Sequence, residues 1–188
     1  MYRFLIVLFF ISFSYSQNRC GSDEYRDLLT EKGLFVTQEK ANQNIIRTGQ
    51  YNIPVVFHVI YNNDQQNIPD SQIFSQLDVL NQDYNAQNTD FVNVPSEFED
   101  VAGDVGIHFC LAEFDPNGSP STGITRTQTD EVSFSMSGDK MKISIEGGVD
   151  PWDTEKYLNI WVCNLNGSLL GFSTYPGADP LLAGVVID

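Results

Sequence analysis

The sequence predicts an α/β fold. Residues 53–61 (IPVVFHVIY) are apolar on both faces apart from His58, the pattern of a strand buried on both sides of a sheet. Residues 70–84 then place Ile73, Leu77, Leu80 and Tyr84 at helical spacing, and 106–112 (GIHFCLA) returns to a strand pattern. That order is a βαβ unit. At 188 residues, 41% hydrophobic and 19% charged, the chain suits one globular domain with short extensions.

The elements follow in order. Residues 17–50 are polar with weak periodicity. A short helix over 23–30 is expected there, inside a propeptide or linker and not a core element. The globular part, 51–188, opens with the strand at 53–61. After a turn at 62–67, Asp70 or Ser71 is expected to cap the helix by accepting from free backbone N–H groups. Residues 115–121 (DPNGSPS) are turn formers. A third strand is expected over 123–129 (GITRTQT), and an irregular loop over 131–148. Residues 157–165 (YLNIWVCNL) give the clearest later strand, 171–176 (GFSTYP) a shorter one, and 184–188 (GVVID) begins another.

The first residues read as a signal peptide, 1–16. Arg3 supplies the positive start, 4–13 is an apolar stretch too short to span a bilayer, and Ser14 and Ser16 are small residues placed for cleavage before Gln17. Its style is compatible with a Gram-negative bacterium. Export to an extracellular location follows, and no membrane association after cleavage. With 10 basic and 25 acidic residues the net charge is -15, which repels nucleic acid and anionic membrane alike. No calcium-loop motif accompanies the acids. The G-x-S-x-G elbow, the phosphate loop and the dinucleotide fingerprint are also missing. Three cysteines, Cys20, Cys110 and Cys163, in an oxidising setting predict one pair and one left over. Cys110 and Cys163, both on strand candidates, are the preferred disulfide. The alternative is two separate buried thiols acting as small apolar side chains.

Several segments together resemble the catalytic domain of the pappalysin (cytophagalysin) family of secreted zinc metalloproteases. They are IPVVFHVIY at 53–61, SQIFSQLDVLNQDY at 71–84, IHFCLAEFDPNG at 107–118 and GITRT at 123–127. GGVDPWDTEKYLNIWVCNL at 147–165, LLGFSTYPG at 169–177 and the closing GVVID complete the set. The resemblance implies a metzincin-like twisted mixed sheet with flanking helices. It also implies a following helix with H-E-x-x-H-x-x-G-x-x-H, whose histidines hold zinc while the glutamate acts as general base. These 188 residues contain no such motif. Their two histidines, His58 and His108, lie far apart in sequence and read as core or sheet-surface residues. The expectation is the N-terminal portion of a secreted zinc metalloendopeptidase, truncated before the zinc helix. It is inactive as given, with no catalytic residue and no metal ligand set of its own. Zinc and a peptide or protein substrate belong to the parent.

Two further roles follow from the resemblance. Gly171, Phe172, Ser173, Thr174 and Tyr175 match the family's edge strand, which pairs antiparallel with substrate backbone. Cys20, in RCGSDE, resembles a propeptide cysteine whose thiolate takes the fourth zinc position as a latency switch. The plainer reading of Cys20 is an incidental or disulfide-bonded cysteine. Trp152 and Trp161 read as packing residues, and Asp150, Asp153 and Glu155 as a solvated capping cluster. The alternative function is a non-catalytic secreted module that captures or inhibits peptides through the edge at 172–175. A third is a degenerate product that folds poorly.

Overall fold

The computed structural model describes residues 20–35 and 49–188; the expected signal peptide and the remainder of 17–50 lie outside the described residues. Six strands form one mixed sheet: β1 (Tyr51–Tyr61), β2 (Ile107–Leu111), β3 (Ile124–Gln128), β4 (Leu158–Val162), β5 (Gly171–Ser173) and β6 (Val185–Ile187). The order is β2-β1-β4-β6-β5. The long β1 is the organiser. Its first half pairs parallel with β2 and its second half, on the same side, pairs parallel with β3. Its other side pairs parallel with β4, and β6 continues the parallel run. Only β5 is antiparallel. The near-continuous apolar run of β1 is thereby explained, since six consecutive residues, 55–60, are buried.

Helix α2 (Asp70–Tyr84) links β1 to β2 and covers one face through Ile73, with Leu77 and Leu80 packed on Val55, Phe57, Val59, Phe109 and Ile160. Tyr84 stays 40% exposed and meets Phe109 edge-on at 4.9 Å. The expected cap is corrected. Pro69 occupies the N-cap with no side-chain hydrogen bond, and Asp70 is the first helical residue. Its carboxylate instead pairs with Arg126 of β3, whose guanidinium also reaches Asn67 and the carbonyl of Ile68. Asn81 of α2 and Asn85, which caps its C-terminal end, serve the outer edge of β2. Asn81 donates to Phe109 O (2.9 Å) and accepts from Phe109 N (2.7 Å), while Asn85 donates to Ile107 O (3.0 Å). An open strand edge is thus closed by side-chain amides.

The other face corrects a second expectation. Helix α1 (Ser22–Glu31) is where the sequence places a short helix, but it is part of the core. Tyr25 and Leu29 are fully buried against Met141, Trp161, Phe172 and Val186. The 131–148 loop contributes Phe134 and Met141 to the same cluster. Leu34 O accepts from Asp179 N (2.9 Å), which clips the far end of this segment down.

His58 is a satisfied core histidine. It is fully buried, with Nδ1 2.8 Å from Thr125 Oγ1 and Nε2 3.0 Å from Asn159 Oδ1, so it ties β1 to β3 and β4. Trp161 is fully buried and donates to Val149 O, and Trp152 packs against His58 and Tyr157. Asp150 accepts from Ser144 N and Oγ, and Asp153 pairs with Lys156, so both acids serve local turns.

Candidate functional site

The candidate site is the outer edge of the sheet at β5. β5 is its last strand, pinned to β6 on one side, and its outward backbone groups face away from the sheet. Gly171 lies where a Cβ would sit 2.6 Å from Val186 O, so only glycine lets β5 come this close to β6. The outer groups of β5 are not bare. Gly21 N donates to Gly171 O at 2.9 Å, and Ser173 N donates to Ser22 Oγ at 3.0 Å. Ser22 Oγ also lies 3.2 Å from Ser173 Oγ. Cys20 forms a bridge to Gly171 with the chain running parallel to β5. Gly21 is itself required by close approach, since a Cβ there would sit 2.8 Å from Leu169 and 3.1 Å from Met136. The structure therefore brings together two sets of residues that the sequence singled out separately, Cys20 and the strand at 171–175.

The strand is shorter than expected. Thr174 and Tyr175 lie beyond β5. Thr174 turns onto Gly184, accepting from its N–H at 3.0 Å, and the Tyr175 hydroxyl donates to Asp23 of α1 at 3.1 Å. Arg26 stands over the Tyr175 ring at 5.5 Å. Tyr175 is thus held by the N-terminal segment.

Cys20 is exposed. Hydrogen bonding from Ser22 draws its thiol below the usual cysteine range, which favours the thiolate. Cys163 is the opposite case: buried at 3% exposure, it is pushed up to about 12, by burial first and then by Asp188. Burial likewise raises Cys110. All three are free thiols, which corrects the expected Cys110–Cys163 disulfide. Cys110 aligns with Pro54 at the start of β1, whereas Cys163 follows Val162, which aligns with Val59 on the opposite side. Six residues along a strand span about 20 Å, and a disulfide tolerates a Cα separation of about 7 Å at most.

Among the described residues no group of three or more His, Cys, Asp or Glu is placed to hold a metal ion. His58 is sealed inside, and His108 sits exposed on β2, at the other edge of the sheet from Cys20. A catalytic zinc needs three clustered protein donors, so these residues do not fit such a centre.

Sequence reasoning missed the anchor beneath the edge. Tyr25 of α1 donates to Asp139 Oδ1 at 2.5 Å, and Lys142 Nζ donates to Tyr25 Oη at 3.0 Å and to Leu182 O at 2.8 Å. Lys142 and Asp139 form an ion pair at 3.6 Å with side-chain exposures of 0% and 7%. Nothing in the alternation around 139–142 marks a lysine as buried. The only available signal was the Tyr25–Leu29 spacing of one helical turn.

The proteins and solved structures that the chain resembles are metalloproteases. Two curated proteins, each an "Extracellular metalloprotease", from Arthroderma benhamiae and Trichophyton verrucosum, are 25% identical over 183 residues, covering 94% of this chain. The chain spans 54% of their length, about half of each. Among solved structures it is similar to mirolysin. Mature mirolysin of Tannerella forsythia with a cleaved peptide is 49% identical at a TM-score of 0.72, covering 75% of this chain and 53% of that one. A promirolysin variant of the same organism is 41% identical at a TM-score of 0.75, covering 90% and 59%. No protein-family model matches the chain.

Proposed function

We propose that this chain is the N-terminal portion of a secreted zinc-dependent metalloendopeptidase of the pappalysin type, with residues 17–50 acting as its latency segment. The observation that carries the reading is the occupied edge of β5. A substrate strand would pair with this edge antiparallel, whereas Cys20, Gly21 and Ser22 lie on it in the parallel sense. A segment laid in the reverse direction fills the edge without offering its peptide bonds in the orientation of a substrate. The coverage of the two mirolysin forms supports the same division. The pro form matches 90% of the chain and the mature form 75%, a difference of about 28 of 188 residues, somewhat less than the 34 residues of 17–50.

In this reading the zinc ligands and the catalytic glutamate belong to the part of the parent that the chain does not cover. The one donor this chain supplies is the Cys20 thiolate, as the latch. The 188-residue chain alone should leave peptides uncut. Substrate is a peptide or protein, held extended along 171–173 after the N-terminal segment leaves. The non-catalytic capture module needs the same edge open, and here it carries its own residues 20–22. That arrangement favours the latent protease.

The test is made on the parent polypeptide. Its coding sequence past Asp188 should contain H-E-x-x-H-x-x-G-x-x-H. The purified parent should show chelator-sensitive proteolysis that rises at least tenfold in Cys20→Ser before any processing. A parent without that motif, or a 188-residue chain that itself cuts protein in a chelator-sensitive way, overturns the proposal.

A further inference from the structure

We propose that the Lys142–Asp139 pair is a docking socket for the phenol of Tyr25, so that the N-terminal segment is recognised by a buried ionic contact as well as by backbone pairing on β5. The inference rests on the reading of that segment as a cover for the edge, and adds what specifies it.

The geometry is that of a built site. The ammonium of Lys142 has three oxygen partners: Tyr25 Oη (3.0 Å), Leu182 O (2.8 Å) and Asp139 (3.6 Å). Three aromatic rings also face it, Tyr25, Phe172 and Trp161, at 4.6, 5.3 and 5.4 Å, and Cys163 lies close by. A buried ion pair is tolerated only when its hydrogen-bonding capacity is filled, and Tyr25 fills it on both members. The phenol donates to the carboxylate and accepts from the ammonium, a dual role that a hydroxyl can play and a benzyl ring cannot. Asp139 adopts a left-handed backbone, φ 52°, which a side chain normally avoids. Such a backbone is held in place by the surrounding contacts. Three separate chain regions meet here: α1, the 139–142 turn, and Leu182 just before β6. Lys142 and Asp139 are therefore positioning residues for α1.

The experiment compares the full chain with its Tyr25→Phe and Lys142→Met variants by hydrogen exchange. Tyr25→Phe keeps the ring and removes only the hydroxyl. We expect exchange at the amides of 25–34 to accelerate roughly 5- to 100-fold, the loss of one buried charged hydrogen bond, while the amides of β1 and β4 keep their protection. Lys142→Met should accelerate the same amides at least as much. Unchanged exchange over 25–34 in Tyr25→Phe overturns the socket. So does acceleration by one common factor in α1 and in the sheet, which marks a general core defect. Should Lys142→Met fail to fold, Tyr25→Phe alone decides. Latency is read separately in the parent. If Tyr25→Phe loosens α1 and proteolysis stays unchanged, the cover reading falls and the socket stands.

Discussion

Burial of His58 makes acid stability a direct test of this architecture. The imidazole is fully buried, and burial pulls it down from 6.5 to about 4, against a smaller upward pull from its hydrogen bond to Asn159. In the unfolded chain the ring takes up its proton near 6.5; in the folded chain it waits until about 4. Between those values the unfolded state binds more protons, so stability is full above about 6.5 and falls as the pH falls towards 4. A shift of that size corresponds to about 3 kcal/mol. The perturbation is His58→Leu, which removes the titration. Asp150 and Asp153, both held below the usual carboxylate range by hydrogen bonds, remain in both proteins and cancel. The assay is urea unfolding of the full chain at pH 7 and pH 4. With an urea dependence of about 1–3 kcal/mol per molar, the wild-type midpoint should drop about 1–3 M further than that of the variant over this interval. His58→Leu should also be weaker at pH 7, because Thr125 Oγ1 loses its partner. Parallel losses in the two proteins would refute the assignment of a neutral, sealed imidazole.

Three other outcomes follow. A thiol reagent should titrate Cys20 first in the native chain and reach Cys163 only on unfolding, with all three thiols counted in denaturant; a count of one would restore the disulfide. Leu29→Ala should destabilise the chain by about 2–5 kcal/mol in thermal or urea unfolding, because the side chain is fully buried; a negligible loss would return α1 to the status of a linker. Arg126→Ala should cost no more than about 1 kcal/mol by the same measurement, since the Arg126–Asp70 pair is open to solvent, the carboxylate at 56% and the arginine at 29% side-chain exposure.

The parts of this fold that were legible in the sequence are those governed by local patterning. The run 53–61 reads as a strand covered on both faces from its short, continuous apolar character, and 70–84 as an amphipathic helix from its apolar spacing. The β5 edge was legible through its resemblance, yet its length was not. Thr174 and Tyr175 belong to contacts with Gly184 and Asp23, partners distant in the chain. The disulfide failed for a related reason. Both cysteines do neighbour β1, but register along a strand and the side on which a neighbour pairs are tertiary quantities. α1 was placed correctly and misjudged in role, because two buried side chains in a polar stretch leave a weak pattern, and their partners lie more than a hundred residues away.

The weak pattern of α1 carries a mechanical consequence. A helix of ten residues is marginal in water, and this one has no side-chain N-cap bond and no basic residue in its last turn. Its helicity must therefore come from docking: Tyr25 and Leu29 into the core, the Tyr25 hydroxyl onto Asp139 and Lys142, and Gly21 and Ser22 onto β5. Docking and folding of α1 are then one event. The contacts on the edge and the contacts in the socket share a single rigid segment, so loosening one lowers the cost of losing the other. A cover built this way does not slide along the edge by degrees. It is either seated with its helix formed or released with its helix lost, which is the behaviour the proposed latency role requires.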